Sequence, residues 1–231
     1  MKKIKYLFLV SITAMAVMTC GREQTLLQPD KKLTEEEKVQ LIDEFKNMAS
    51  LDQKNRDFLQ LGTLDQALID SVNKLPKPDQ IRFGFTNPST LSQGQEDSLN
   101  SLQRVLDLRN TERLLSITRQ YGWPSPARLD SLFNPMQFLF HTPKSTIEEV
   151  KRTLQLEVMA GRISPISYAT YVDNMRKKAF GQHQLYGTGD EYDAKLKQVV
   201  PPFIEDLALT NREREKLGLS KLKPGEYRLS K

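Results

Sequence analysis

Apolar residues at spacings of three and four along one segment constrain the fold of this chain more than any other feature. The segment follows residue 95, and its apolar residues are Leu99, Leu102, Leu106, Leu114, Ile117 and Tyr121. Because a helix makes one turn in about 3.6 residues, these side chains share one helix face. The pattern predicts the longest helix of the chain, from about Glu96 to Tyr121, and Gly122 and Pro124 end it.

Further helix starts appear as a Ser or Thr followed three residues later by Glu or Gln, which is the capping-box pattern. The four examples are Thr34 with Glu37, Thr63 with Gln66, Ser145 with Glu148, and Thr210 with Glu213. Only two segments have an extended pattern, around 184–188 and around 197–200. The sequence therefore predicts a mainly α fold, a helical domain with one small β-hairpin near the C-terminal third.

The N-terminus has the layout of a bacterial lipoprotein signal. Three lysines within the first five residues precede an apolar run from Tyr6 to Met18, which is shorter than a membrane-spanning helix of about 20 residues. Cys20, the only cysteine, follows directly. The pattern predicts cleavage after residue 19 and lipidation of Cys20, which would anchor the mature protein in the outer membrane. The alternative is an uncleaved chain in which Cys20 is an ordinary buried thiol.

Charge and cysteine content exclude several classes of function. The formal net charge is +5, and it falls to +2 when the three lysines of residues 1–19 are removed. A charge this small does not indicate binding to nucleic acid. An acylated Cys20 leaves no thiol for a disulfide or for catalysis. No acidic run follows Cys20, which favours the periplasmic face of the outer membrane over the cell surface.

Composition divides the mature chain into four segments. Residues 20–32 are polar and predict a flexible tether. Residues 33–75 predict an N-terminal helical part with separate helices from Thr34, from about Asp52 and from Thr63. Residues 76–95 contain Pro, Gly, Asn and Ser without helical periodicity, which predicts a linker or loop, with a lid or binding loop as the alternative. Residues 96–231 form the predicted main helical domain with the hairpin.

Three residues in the helical region are candidates for a site. Asn110 occupies the missing step of the apolar stripe, so it either lines a cavity or fixes helix register through a hydrogen bond. Trp123 follows Gly122 and either packs against the preceding helix or forms a stacking wall for a ligand. His141 ends a short apolar segment, where a helix C-terminus would raise its proton affinity and make it an acid–base group. Its alternative role is to cap the last carbonyls.

A second group of candidates lies nearer the C-terminus. Gln184, Tyr186 and Thr188 alternate, so on a strand they would present an amide, a phenol and a hydroxyl on one face, which suits a polar ligand or a hydrogen-bonded turn. Asp173 precedes Arg176 and Lys177 at helical spacing, which predicts a solvated ion pair. The usual catalytic and phosphate-binding motifs are absent, and two histidines exclude a histidine-rich metal centre. The sequence predicts no cofactor.

Taken together, these segments resemble a bacterial family of uncharacterised proteins, often lipoproteins or secreted, that is defined by a domain of unknown function. The resemblance spans roughly residues 34–229. It rests on the order of the elements Asp52-Gln53-Lys54-Asn55-Arg56, Asp107 to Asn110, Gly122-Trp123-Pro124, His141, Asp173-Asn174, Gln184-Leu185-Tyr186-Gly187-Thr188-Gly189, and Gly218-Leu219 with Tyr227. The family pattern has Arg where Asn174 stands and Gln where Gly189 stands.

The resemblance implies that Asn110, His141, Asp173, Gln184, Tyr186 and Thr188 belong to one shared feature, but it implies no activity. We therefore expect a membrane-anchored module that binds a protein or a small polar ligand in the envelope without turnover. The alternative is an envelope hydrolase with His141 as the acid–base group and Asp173 orienting it. In a third interpretation the motif residues specify the fold.

Overall fold

The computed structural model describes residues 31–193, 196 and 198–229. The predicted signal, Cys20 and most of the predicted tether lie outside these residues. Within the described residues, the helices are α1 (Glu35–Leu61), α2 (Gln66–Asn73), α3 (Lys77–Thr86), α4 (Gln93–Tyr121), α5 (Met136–Leu139), α6 (Ile147–Met159), α7 (Pro165–Phe180) and α8 (Leu207–Lys216). None of them is long and apolar enough to span a membrane.

Two small sheets accompany the helices in the part of the chain that the structure describes. Strands β1 (Glu191–Asp193) and β2 (Gln198–Val200) form an antiparallel hairpin, and β3 (Phe203–Ile204) pairs with β4 (Arg228–Leu229) in parallel. The prediction of a mainly α fold with a small hairpin near the C-terminal third is confirmed. The predicted strand at 184–188 is wrong, because that segment contributes only an isolated bridge between Gln184 and Ile204.

Two long helices, α1 and α4, form the longest packed pair of the structure. They contain 27 and 29 residues, which corresponds to about 40 Å each. The predicted capping box at the start of α1 is confirmed, because Glu37 N donates to Thr34 Oγ1 at 3.2 Å and Thr34 N donates to Glu37 Oε2 at 3.0 Å. No break separates residues 34–61 into the two helices predicted there. Helix α4 has its own capping box at Ser92, a few residues before its predicted start.

The other three predicted capping boxes are wrong. Asp65 caps α2 and Asp206 caps α8, each with a carboxylate that accepts from two backbone N–H groups. Thr210 therefore lies inside α8 rather than at its start. Helix α6 continues from a 3-10 turn at Lys144–Thr146 that follows Pro143, and no side chain caps it. In α2 and α8 an aspartate lies close to the threonine that was predicted to cap the helix. Its carboxylate is a stronger hydrogen-bond acceptor than the threonine hydroxyl and takes the N–H groups instead.

Residues 76–95 contain a helix, so the prediction that they form only a linker or loop is wrong. Helix α3 occupies Lys77–Thr86, and the segment after it returns to the end of α1. There Thr90 N donates to Gly62 O at 2.7 Å. Gly62 has a φ of 61°, and a Cβ at this position would lie 2.6 Å from the Cα of Ser89. Only glycine fits this crossing, which ties α3 and the following segment to α1.

The hydrophobic residues form two separate clusters along α1. The main core contains Phe45, Ile117 and Tyr171, each completely buried. A small cluster of Leu61, Ile69 and Val72 lies where α1 meets α2 and α3. The stretch of α1 between the two clusters carries polar residues that face α4.

The buried face of α4 keeps most of the predicted stripe, since Leu99, Leu114 and Ile117 are buried together with Asn110. It departs from the stripe at Leu102, which is 57% exposed, whereas the neighbouring Gln103 is 5% exposed. At this step of α4, Gln103 faces the polar stretch of α1 and hydrogen-bonds to it. A partly buried charged group needs hydrogen-bonding partners, which an apolar side chain cannot supply.

Candidate functional site

Four polar side chains connect α1 and α4 between the two hydrophobic clusters, and we call them the polar layer. They are Asp52 and Arg56 on α1 and Gln103 and Asp107 on α4. Gln103 Nε2 donates to Asp52 Oδ1 at 2.8 Å and to Asp107 Oδ1 at 2.9 Å. Arg56 Nε donates to Asp52 Oδ2 at 3.0 Å, and Arg56 Nη2 donates to Asp107. The guanidinium and the amide thus bridge two carboxylates on different helices.

The polar layer brings together residues from two sequence elements that lie far apart along the chain. Asp52 and Arg56 come from the first element and Asp107 from the second, and their side chains meet directly. Gln103 was not predicted, although it lies one helical turn before Asp107. Its Oε1 atom is buried and has no hydrogen-bond partner among the described residues.

His141 lies close to the polar layer. Burial of its ring and then the positive charges of Arg56 and Lys178 lower the pKa of His141 to about 4. His141 is nevertheless exposed as a residue, so the surrounding protein shields the ring from solvent only in part. Burial, followed by the charge of Arg56, also lowers the pKa of Lys178, whose Nζ donates to Phe140 O at 3.2 Å.

The predicted effect of the helix C-terminus on His141 is wrong in sign. Helix α5 has only four residues, so it provides little dipole to hold a proton on the imidazole. The two neighbouring cations and burial favour the neutral ring instead. Burial also raises the pKa of Asp107. Shifted pKa values in one cluster are typical of functional sites, although structural ion networks produce them too.

We expect the stability of the protein to depend on pH through His141. Its pKa is lowered from 6.5 to about 4, so the neutral ring stabilises the fold at pH values above 6.5. This contribution is lost as the pH falls from 6.5 toward 4. Because the residue is exposed, we expect about 1 kcal/mol or less. An NMR titration of the ring, with His141→Gln to assign it, should give a midpoint well below 6.5; an ordinary midpoint would refute the expectation.

A groove of about 840 Å³ lies between α1 and α4 beside the polar layer. Met48, Leu51 and Leu106 provide its apolar surface, and Asn110 lies against it. Asn110 is 5% exposed, and its Nδ2 atom has no hydrogen-bond partner among the described residues. The sequence-based prediction that this amide faces inward is consistent with its burial. The register-fixing role requires a protein partner, which Nδ2 does not have in the described part of the chain.

An ion pair holds the two sides of the α1–α4 groove together. Arg113 Nε donates to Glu44 Oε1 at 2.5 Å, and Arg113 Nη2 donates to Glu44 Oε2 at 2.9 Å. Both residues line the groove. Two parallel hydrogen bonds between a guanidinium and a carboxylate have a defined geometry, so this pair helps to set the width of the groove. Neither residue was singled out from the sequence, because the two lie 69 positions apart.

Asp173 organises a loop at residues 184–189, which we call the 184–189 loop. Its carboxylate accepts hydrogen bonds from the backbone N–H groups of Leu185, Tyr186 and Thr188 and from Thr188 Oγ1, at 2.7–3.0 Å. Gln184 Oε1 accepts from the N–H groups of Thr188 and Gly189. These bonds explain why the segment is not a strand, since its N–H groups point to side chains instead of a neighbouring strand.

The prediction of a solvated ion pair at Asp173 is wrong. Asp173 is 3% exposed, and burial raises the pKa of its carboxyl against the hydrogen bonds that favour the charged form. Arg176 Nε donates to His183 O, and Lys177 pairs with Glu191 instead. All the hydrogen bonds that Asp173 accepts come from the 184–189 loop, and none joins it to His141 in the described residues.

Trp123 is part of the main core. It is 3% exposed, and its backbone N–H donates to Glu157 Oε2 at 3.2 Å. Glu157 is held in turn by Arg162, whose Nε donates to it at 2.5 Å. The environment of Trp123 therefore fits the packing alternative. Its role as a stacking wall is not tested by these contacts.

The hydrogen bonds of the described residues place the motif residues in two groups. Asp52, Arg56 and Asp107 meet in the polar layer, with Asn110 a turn further along α4. Asp173, Gln184 and Thr188 meet at the 184–189 loop, together with the backbone of Tyr186. No group of three or more His, Cys, Asp or Glu side chains in the described part of the chain is placed to hold a metal ion.

No protein-family model matches the chain, and no curated protein or solved structure does either.

Proposed function

We propose that this protein is a lipid-anchored binding module of the bacterial cell envelope, and that its α1–α4 groove holds a ligand without changing it chemically. One observation carries the proposal: Asn110 lines the groove of about 840 Å³, and its buried amide donor, Nδ2, has no partner among the described residues. Pockets of this size with a few placed polar groups are typical of ligand sites.

The energetic argument concerns the free amide. A buried donor without an acceptor costs about 1–3 kcal/mol, because it has lost its hydrogen bonds to water. A ligand oxygen at Asn110 Nδ2 would recover this energy. Contact with Met48, Leu51 and Leu106 would add the burial of apolar surface. The ligand class that fits has a hydrogen-bond acceptor attached to an apolar body.

The envelope location is supported by the N-terminal sequence alone. Cys20 follows an apolar run and a basic start, as in bacterial lipoproteins. The lipid would be the contact with the membrane, on the periplasmic face of the outer membrane. Residues 20–32 would then connect this anchor to α1. The small net charge of the mature chain supports a protein or small-molecule partner rather than nucleic acid.

An envelope hydrolase is the second candidate function, and the position of His141 beside a cluster of charged side chains is the observation in its favour. Its neutral imidazole can accept a proton, but a pKa of about 4 makes it a weaker base than a histidine that titrates near neutral pH. The hydrogen bonds of Asp173 support a role in the 184–189 loop and leave His141 without the orienting carboxylate of the original hypothesis. Asp52 is the carboxylate whose charge acts on His141, but it is engaged by Arg56 and Gln103.

We expect Asn110→Leu to leave the fold intact and to raise the free energy of unfolding by about 1 kcal/mol. The reason is that leucine has a similar shape and removes a buried donor that has no acceptor. Urea denaturation measures the change. The matched control is Asn100→Leu on the exposed part of the same helix, where we expect a change within about 0.5 kcal/mol. A loss of stability at Asn110 would instead indicate a structural role for the amide.

Binding can be followed at the methyl group of Met48, which lines the groove. We expect members of a carbonyl-containing fragment library to shift this NMR signal in the wild-type chain and in Asn100→Leu. The same fragments should lose the shift in Asn110→Leu, since the amide supplies the specific hydrogen bond. If no fragment distinguishes wild type from Asn110→Leu, the proposed ligand site does not exist.

A further inference from the structure

A second, smaller cavity lies between α6, α7 and the 184–189 loop, and we call it the α6–α7 cleft. Its volume is about 340 Å³. Most of its inner wall is apolar or aromatic, and the side chains that provide this wall are Ile147, Tyr168, Val172, Met175, Leu185 and Tyr186. The cleft is separate from the α1–α4 groove, since no residue lines both.

Two tyrosines contribute hydroxyl groups to the cleft, in addition to the polar side chains at its edge. Tyr168 and Tyr186 are each 6% exposed, and their rings meet edge to face with centroids 6.4 Å apart. Neither hydroxyl is hydrogen-bonded to a residue in the described ranges, although both rings are fixed in the core. Burial raises the pKa of each phenol above its ordinary value, so both hydroxyls keep their protons and can donate.

The protein holds Tyr186 in place through its backbone. Tyr186 N donates to Asp173 Oδ1 at 2.9 Å, and Tyr186 O accepts from Arg214 Nη1 at 2.7 Å. Asp173 and Arg214 are 3% and 8% exposed, so two buried charged residues fix one backbone unit. Support of this kind positions a side chain with little freedom, as binding sites require. Asp173 is thus a positioning residue for the cleft.

The charged side chains at the cleft are already engaged by other groups of the protein. Lys151 and Glu148 line it and pair with each other at 3.1 Å. Arg176 lines it as well, and its Nε donates to His183 O at 2.9 Å. The uncharged groups left to recognise a ligand are the two phenol hydroxyls, the amide of Gln182 and the apolar wall.

We propose that the α6–α7 cleft is a second binding site, for a compact uncharged molecule that carries an acceptor oxygen on an apolar body, such as an amide, ester or ketone. The hydroxyls of Tyr168 and Tyr186 donate to the oxygen, and Val172, Met175 and Leu185 contact the apolar part. The site does not depend on the function proposed for the α1–α4 groove, because it uses other residues and another cavity.

The test uses three probes with the same six-carbon chain and different charge: hexanamide, hexanoate and hexylammonium. The NMR signal of the Met175 methyl group reports the cleft, and that of Met48 reports the α1–α4 groove in the same sample of the full chain. We expect hexanamide to shift the Met175 signal saturably, with a dissociation constant of about 1–10 mM for a molecule of its size. The two charged probes should bind at least threefold more weakly.

Removal of either hydroxyl should weaken hexanamide binding about threefold to tenfold, as expected for the loss of one hydrogen bond. Tyr168→Phe and Tyr186→Phe keep the rings and hence the packing of the core. Tyr192→Phe is the matched control, because Tyr192 is exposed on β1 and outside the cleft. Asn110→Leu should leave the Met175 response unchanged, which separates this site from the groove.

Three results would overturn the proposal. The first is no saturable shift of Met175 with hexanamide. The second is equal or tighter binding of hexanoate or hexylammonium, which would assign the cleft to a charged ligand. The third is unchanged binding in both phenylalanine variants, which would reduce the cleft to a nonspecific apolar surface. A response at Met48 without one at Met175 would support the groove and exclude the cleft.

Discussion

Replacement of Asp173 by alanine is expected to lower the free energy of unfolding by about 3–5 kcal/mol, more than any other substitution proposed for this protein. The carboxylate accepts four hydrogen bonds from the 184–189 loop and is 3% exposed. Alanine would leave the N–H groups of Leu185, Tyr186 and Thr188 without their acceptor, and each buried donor costs about 1–3 kcal/mol. Urea denaturation measures the loss, and hydrogen exchange should show faster exchange of these amides.

The control for Asp173→Ala is Asp190→Ala. Asp190 is an exposed carboxylate just after the same loop, so its removal should change stability by less than about 0.5 kcal/mol. A loss below about 1 kcal/mol in Asp173→Ala would show that the loop is held by other contacts. It would also remove Asp173 as the positioning residue of the α6–α7 cleft.

Arg56→Met is expected to lower the free energy of unfolding by about 2–3 kcal/mol at neutral pH. Methionine keeps much of the length of the side chain but leaves Asp52 and Asp107 facing each other without the guanidinium. Removing one partner of a buried ion network costs about 3–5 kcal/mol, and partial exposure of these side chains reduces the cost. The loss should be measured by urea denaturation over a range of pH.

The stability loss in Arg56→Met should depend on pH, and the pKa of Asp107 determines in which direction. Burial raises the pKa of Asp107 in the native protein, and loss of Arg56 should raise it further. A carboxyl whose pKa is higher in the native protein than in the unfolded protein destabilises the fold as the pH rises from the unfolded-state pKa to the native pKa. The difference between wild type and Arg56→Met should therefore shrink as the pH falls from 7 toward about 4.

Two variants control the Arg56 experiment. Arg104→Met removes an exposed arginine of α4 whose Nη2 donates to Ser101 Oγ at 2.9 Å, and we expect a change below about 0.5 kcal/mol. Adding Asp107→Asn to Arg56→Met removes one of the two facing carboxylates and should restore part of the lost stability. A loss in Arg56→Met that is independent of pH and of Asp107→Asn would mean that packing, not charge, explains it.

Helix positions were largely predictable because local signals set them. The capping box at Thr34 and the end of α4 at Gly122 agree with the structure. The errors also have local causes. Asp65 and Asp206 cap helices where a nearby hydroxyl was expected to, and α3 lacked the apolar periodicity that reveals a helix.

The candidate sites were predictable only in part. The position of Asn110 in the apolar stripe indicated a buried amide. The alternation of Gln184, Tyr186 and Thr188 indicated the correct segment, but it predicted a strand where the structure has a loop. The pairing of His141 with Asp173 does not appear among the hydrogen bonds of the described residues. Gln103, Lys178 and Arg113 gave no sequence signal, because each acts through a residue far away along the chain.

The sequence by itself determined where the helices lie and that the fold is mainly α, since apolar spacing and capping act within a few residues. It also carries the predicted lipoprotein signal. Only the tertiary structure decided which polar side chains meet. Asp52 and Gln103 lie 51 positions apart, and their hydrogen bond places Gln103 inward, whereas the neighbouring Leu102 of the stripe is exposed. Hydrogen bonding of partly buried charge thus modified the apolar stripe of α4 at one step.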